Sequence, residues 1–287
     1  MDIKIGTRRS RLAVIQARLA EQEILKAFPD IETKIVYINT RGDKILNKPL
    51  SELGGKGIFV SEIEKKLQNG EIDIAVHSAK DLPVVTAQGL EISCVLKRGN
   101  PSDVIVTNKN CAVKNAPEFI MGTGSLRRKA IIQKLYPKVT VSQIRGNVDT
   151  RLDMLKNGKY GALVLASSGL SRIGMLKSGD FDFKFIDTER FPCAPCQGII
   201  AIESRTDDFT KEVLSAVNHR ETFTAFETER RIMTLLNADC SVPLGAYCRV
   251  NGDNLTVFAS KDWTETVSKT GPAKDYIRLS EELISEL

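Results

Sequence analysis

Near the start of the chain three apolar runs, 2–6, 34–38 and 72–76, alternate with two stretches of helical period, and this alternation constrains the fold most. Parallel strands need a crossover, usually helical, so a strand–helix–strand rhythm implies a mostly parallel sheet covered by helices. The first strand is Asp2-Ile3-Lys4-Ile5-Gly6. Ser10 stands where it can cap a helix running to about Phe28, with Leu12, Ile15, Leu19 and Ala20 on one face. Lys34 to Ile38 is the second strand, Ile58 to Leu67 a helix stopping near Asn69-Gly70, and Ile72 to Val76 the third strand.

The rhythm is interrupted at Arg98-Gly99-Asn100-Pro101-Ser102, between strands at 92–96 and 104–106, and this segment reads as a hinge. A second unit of the same style follows, with strands at 119–122, 139–143 and 162–166 and helices at 125–136 and 147–156. A Pro-containing link, 190–196, precedes the apolar run Gly198 to Ile202, which looks like a strand returning to the first domain. Two crossings imply two lobes with a cleft. A helix from about Asn218 to Leu236, strands near 242–250 and 255–259, and a helix over 276–287 make a small third α/β domain. The expected division is 1–97 with a returning segment 195–216, then 98–194, then 217–287.

No apolar run approaches the ~20 residues a bilayer demands, and Met1 leads straight into a strand without a secretory signal, so the cytoplasm is the expected compartment. A net charge of +5 with alternating lysines and acids, and aromatics at 6% without a stacking row, argue against nucleic acid as a partner. With two histidines in the chain, neither a zinc site nor Ser-His-Asp catalysis is supported, and no metal is expected. His77 is read as structural.

The third strand breaks into His77-Ser78-Ala79-Lys80-Asp81-Leu82-Pro83. Ligands of open α/β sheets bind beyond the carboxyl ends of strands, so a hydroxyl, an ammonium and a carboxylate clustered there suggest a site centred on Asp81, with a solvated turn as the competing reading. Arginines also gather on loops: Thr7-Arg8-Arg9-Ser10, Thr40-Arg41-Gly42-Asp43, Arg127-Arg128, Arg145-Gly146-Asn147, Arg151 and Arg172. Such placement suits a ligand with several carboxylates or phosphates. Gly122-Thr123-Gly124-Ser125 opens a helix and can cradle an anion; it is neither a Walker loop nor a dinucleotide fingerprint. Cys193-Ala194-Pro195-Cys196 has the spacing of a redox pair but falls in a linker. Cys240, on a tight loop of the small domain, is open to two readings: ordinary thiol, or nucleophile and attachment point.

Six segments, in order along nearly the whole chain, resemble hydroxymethylbilane synthase, also called porphobilinogen deaminase. They are Thr7-Arg8-Arg9-Ser10-Arg11-Leu12-Ala13, Thr40-Arg41-Gly42-Asp43, Gly54-Gly55-Lys56-Gly57-Ile58-Phe59-Val60, Val76 through Pro83, Gly122 through Arg128, and Arg145-Gly146-Asn147-Val148. The resemblance implies two type II periplasmic-binding-protein-like lobes with mostly parallel sheets, plus a small C-terminal α/β domain with an open antiparallel sheet. It implies a dipyrromethane cofactor held by a thioether to Cys240, and a transferase that joins four porphobilinogen molecules head to tail, losing ammonia each time, and releases hydroxymethylbilane for tetrapyrrole (haem) biosynthesis. A monomer is expected.

By the same matching Asp81 is catalytic; Lys80, Ser78, Thr123, Ser125, Arg127, Arg128 and Arg145 hold the cofactor; and Arg8, Ser10, Arg151, Arg172, Gln197 and Phe59 meet substrate. Gly54 to Gly57 would belong to a mobile loop. The chain departs from the family in three places. Ala238-Asp239 replaces Gly-Gly before Cys240, cysteines replace residues of Pro-Ala-Pro-Gly-Gln-Gly at 193 and 196, and Gly124 stands where serine is common. A non-enzymatic two-lobed binder of a polyanion is the rival reading; it explains the arginines and hinges, but not a third domain with a loop cysteine.

Overall fold

The computed structural model describes residues 2–40, 60–206, 208–238, 242–261, 263 and 265–287. The strands are β1 (Asp2–Arg8), β2 (Glu32–Ile38), β3 (Ile74–Ser78), β4 (Leu90–Val95), β5 (Asp103–Asn108), β6 (Ile120–Gly122), β7 (Thr140–Ser142), β8 (Ala162–Ala166), β9 (Phe181–Phe185), β10 (Ile200–Arg205), β11 (Gly245–Asn251), β12 (Asn254–Ser260) and β13 (Val267–Pro272). The helices are α1 (Arg11–Ala27), α2 (Ser61–Gln68), α3 (Leu126–Leu135), α4 (Val148–Lys156), α5 (Ser167–Arg172), α6 (Asp208–Val217), α7 (Arg220–Leu235) and α8 (Tyr276–Ile284). Two compact units divide the chain: residues 1–99 with 199–226, and residues 100–198 with 227–287.

In the first unit the sheet order is β2-β1-β3-β10-β4. β1 runs parallel to β2 and β3, while β10 lies antiparallel to both β3 and β4. The second unit repeats this plan as β7-β6-β8-β5-β9, with β5 the antiparallel member. β3 and β8 read as nearly unbroken apolar runs because a central strand covered on both faces has no polar side to show. The same unit holds a three-stranded antiparallel sheet, β11-β12-β13, against which α8 buries Leu279 and Leu283. These are the mostly parallel sheets and the small antiparallel sheet that the resemblance implies.

Ser10 caps α1 as expected, its Oγ accepting from the Ala13 amide at 3.4 Å. The buried face differs from the expected one: it runs through Gln16, Ala17, Ala20, Glu21 and Ile24, leaving Leu12, Ile15 and Leu19 half-buried at its margin. Small Ala17 and Ala20 let the helix sit close on β1 and β3, and Ile3, Ile5 and Ile74 of those strands, with Ile200 and Ile202 of β10, complete the core. In the second unit Met121, Ile131, Ile132, Ala162 and Val164 do the same for α3 and its sheet.

β9, β13, α5 and α6 were not foreseen. β9 is Phe-Asp-Phe-Lys-Phe, a plain two-residue alternation. β13 ends in Gly-Pro, which reads as a turn; edge strands tolerate both residues. Among the described residues no helix is long and apolar enough to cross a membrane. The expectations for Arg41-Gly42-Asp43, Gly54 to Gly57, Phe59 and Cys240 fall on residues outside those described.

Candidate active site

In the first unit, β1 and β3 are parallel neighbours, so their carboxyl ends open on the same edge of the sheet. There Arg8, Ser10, Gln16, Val76, His77, Ser78 and Asp81 line a cavity of about 80 Å3. β3 stops because Ala79–Asp81 tightens into a 3-10 turn, with the Leu82 amide donating to Ala79 O at 3.2 Å and Pro83 following. The turn is anchored by the Ala79 amide on Ile199 O at 3.0 Å. It leaves Asp81 exposed and Lys80 half-buried beside the cavity. Ser78 and Gln16 lock one another by two side-chain hydrogen bonds, 2.9 and 3.0 Å. His77 is buried, its Nε2 3.1 Å from Oε2 of the wholly buried Glu203 on β10.

In the second unit the Thr123-Gly124-Ser125 loop is tied down internally. Thr123 Oγ1 accepts from the Ser125 amide at 3.2 Å, and Ser125 Oγ caps α3 by accepting from the Arg128 amide at 3.4 Å. A Cβ on Gly124 would lie 3.0 Å from Ile144 O, so a serine here would require the loop to give way. Gly146, at φ +104°, turns the chain into α4, which Asn147 caps through the Thr150 amide at 2.8 Å. Half-buried Arg151 donates from Nε to Gly146 O at 2.8 Å, placing it beside half-buried Arg145 at the same helix start. Arg172, at the end of α5, donates to Gly198 O at 2.6 Å. Burial alone pushes its guanidinium down to about 10, with no carboxylate among the described residues to offset it.

Arg127, Arg128 and Gln197 converge on a partner that the sequence did not single out, the buried Asp103 of β5. Arg128 Nε and Nη2 reach Asp103 Oδ1 at 2.9 and 2.8 Å. Its Nη1 and Nη2 also donate to Val164 O at 3.0 Å and Gln197 Oε1 at 3.1 Å. Three of the five guanidinium N–H donors are thus hydrogen-bonded inside the protein, and Nη2 also pairs in charge with Asp103. Arg127 Nη1 lies 2.6 Å from Asp103 Oδ2, close enough to pair in charge though not aligned as a hydrogen bond, and donates to Pro192 O at 3.2 Å. Gln197 closes the cluster on Pro101 O at 2.7 Å and Asp103 Oδ1 at 3.0 Å. Burial would raise the Asp103 carboxyl, but Arg127 and then Arg128 overcome it and hold it well below the usual carboxylate range.

Besides Asp103, the residues missed from sequence are Gln16 and Glu203. Each is a polar residue in an otherwise apolar core position, on the buried face of α1 and directly after the run 198–202. That is the one signal that could have marked them.

Two sheets of one strand order, with arginines and helix starts at strand ends and a carboxylate beside the cavity of the first unit, define a duplicated α/β protein with a charged site at its strand ends. The family model that matches the chain is described as "Porphobilinogen deaminase, dipyromethane cofactor binding domain" and covers residues 3–212. The chain is 38% identical to porphobilinogen deaminase of Geobacter sulfurreducens, over 99% of its own length and 92% of the relative's. It is 38% identical to that of Staphylococcus saprophyticus, over 99% and 93%, and 40% identical to that of Rickettsia bellii, over 90% and 86%. The chain belongs to the porphobilinogen deaminase family. Among solved structures it is similar to the Escherichia coli aliphatic sulphonate binding protein SsuA, at 12% identity, TM-score 0.45 and coverage of 82% and 70%.

Proposed function

We propose that Asp81 and the strand-end cations carry out, in this chain, the transferase reaction of its family: head-to-tail condensation of four porphobilinogen molecules with loss of ammonia, and release of hydroxymethylbilane. The observation that supports this most directly is the cavity where Arg8, Ser78 and Asp81 meet at the carboxyl ends of two parallel strands. Porphobilinogen bears an acetate and a propionate, so substrate and growing product multiply carboxylates. Arg172, half-buried without a carboxylate partner among the described residues, has the chemistry to receive one.

The dipyrromethane cofactor, with its acetates and propionates, asks for the same cationic donors, and the residues present fit it. Lys80, Ser78 and Arg145, with Thr123 and Ser125 shaping the loop at α3, would hold it, and Cys240 would form the thioether. When bound, it would supply the pyrrole carbon that takes the first unit, each later unit adding to the ring before it. Arg8, Ser10 and Arg151 orient substrate carboxylates, Phe59 covers the rings, and Arg127, Arg128 and Gln197 act from the Asp103 cluster.

Asp81 stabilises the cation that forms as ammonia leaves. At about 4 Å and an effective dielectric near 20 this attraction is about 4 kcal/mol, roughly three decades in rate, against only about 1 kcal/mol in bulk water. The exposed carboxylate therefore becomes effective when bound substrate displaces water from around it. The same reading makes the protein a cytoplasmic monomer of three domains that binds neither nucleic acid nor membrane.

The test is the intact mass of the purified protein. Two pyrrole units of covalent excess are expected in the wild type and none in Cys240→Ser; an unmodified yet fully active wild type would overturn the attachment.

A further inference from the structure

His77 and Glu203 form a polar pair that the reading so far leaves unused, directly beneath the Asp81 cavity. They lie on adjacent antiparallel strands, His77 opposite Ala201 and Glu203 opposite Ala75, a diagonal pair on one face of the sheet. Glu203 is wholly buried, and its Oε1 has no hydrogen-bond partner among the described residues. A carboxylate in that position is costly unless a proton or a cation accompanies it, and the imidazole 3.1 Å away is the group placed to provide either. Glu203 fixes His77 through Nε2, while His77 itself lines the cavity with Arg8, Ser78 and Asp81. Among the described residues, the charged groups beside the pair are Glu64 on α2, and Arg8 and Asp81 at the cavity. Glu64 is half-buried, and burial and then Glu203 push its carboxyl up, so a second negative charge beside the pair is disfavoured.

Resting on the reaction assigned above, we propose that His77, oriented by Glu203, is the proton acceptor of each condensation. Each addition forms one carbon–carbon bond and breaks one carbon–nitrogen bond, whose electron pair leaves on ammonia. The hydrogen of the attacked pyrrole carbon departs as a proton. His77 takes it on Nδ1 while its Nε2–H stays on Glu203, and the released ammonia carries it away as ammonium. Glu203 is a positioning residue: it selects the tautomer that leaves Nδ1 free, as a carboxylate behind an imidazole does elsewhere.

The experiment uses the cofactor-loaded protein labelled with 15N-histidine. The chain has two histidines, so His219→Gln assigns the spectrum. The Nε2–H tautomer is expected for neutral His77; an Nδ1–H tautomer overturns the proposal. In parallel, kcat is measured across pH in the wild type and in His77→Gln. The variant should keep the two-pyrrole mass excess and a KM within about twofold, lose roughly 100-fold in kcat, and lose the acidic limb of the profile. A loaded His77→Gln with wild-type kcat and an unchanged limb overturns the proposal alone. A wild type that carries no pyrroles and consumes no porphobilinogen overturns the assigned reaction together with it. Should His77→Gln not fold, the wild-type tautomer decides.

Discussion

Arg128 and Asp103 face each other in the interior of the second unit, 2.8 Å apart at Nη2 and Oδ1, with both side chains almost wholly buried. Removing one member leaves a buried charge without its counterion, a loss of about 3–5 kcal/mol. Asp103→Ala should therefore lower unfolding free energy by that amount in a denaturant titration; a loss under 1 kcal/mol would show that the cluster adds nothing to stability. The carboxyl is held below its ordinary value, so its contribution is present above the unfolded-state pKa of about 3.9 and is lost as pH falls through the lower folded value. Wild-type stability should drop on acidification below about pH 4, and Asp103→Asn should flatten that drop.

Asp81→Asn keeps the side-chain shape and removes the charge. Turnover of porphobilinogen should fall roughly a thousandfold while the covalent pyrrole mass stays in place. Near-normal turnover in single-turnover assays would take Asp81 out of the mechanism.

Arg172→Met removes a guanidinium that burial alone disfavours, while keeping much of its length. A substrate role predicts at least a tenfold rise in KM, since one hydrogen-bonded charge contact is worth about 1.5–3 kcal/mol, with little loss of thermal stability. A lowered Tm with unchanged KM would mean that Arg172 only supports Gly198.

Cys196 occupies the third position of the turn Ala194-Pro195-Cys196-Gln197, closed by the Gln197 amide on Ala194 O at 2.9 Å, and holds φ at +61°. Proline then a positive φ is the type II pattern, which favours glycine at that position. Cys196→Gly should remain within about 1 kcal/mol of wild type, whereas β-branched Cys196→Val should lose about 2 kcal/mol or more. Chemical unfolding of the two variants checks this, and equal stabilities would show that the turn carries no strain.

The repeating α/β rhythm, the cap at Ser10 and the helix starts at Ser125 and Asn147 were legible, because each depends on neighbours within a few residues; the third strand lies two residues later than expected, ending at Ser78 rather than Val76. The destination of Arg127 and Arg128 was not. Asp103 reaches them because β5 enters its sheet antiparallel beside β8, opposite Ala166, a register that no local spacing encodes. Glu203 meets His77 for the same reason, through the pairing of β10 with β3. Gln16 on α1 apart, the parts of the site that sequence left dark are those assembled by the two antiparallel strands.

Strand β10 carries a consequence for how the protein is made. β3 and β4 do not touch as hydrogen-bonded neighbours; each is paired to β10, which begins at Ile200, long after β4 ends at Val95. A nascent chain emerging from the ribosome must hold both strand edges open until that late segment arrives, exposing a site for wrong pairing or chaperone capture. Fragments that end before β10 should thus aggregate, however intact their own helices and strands.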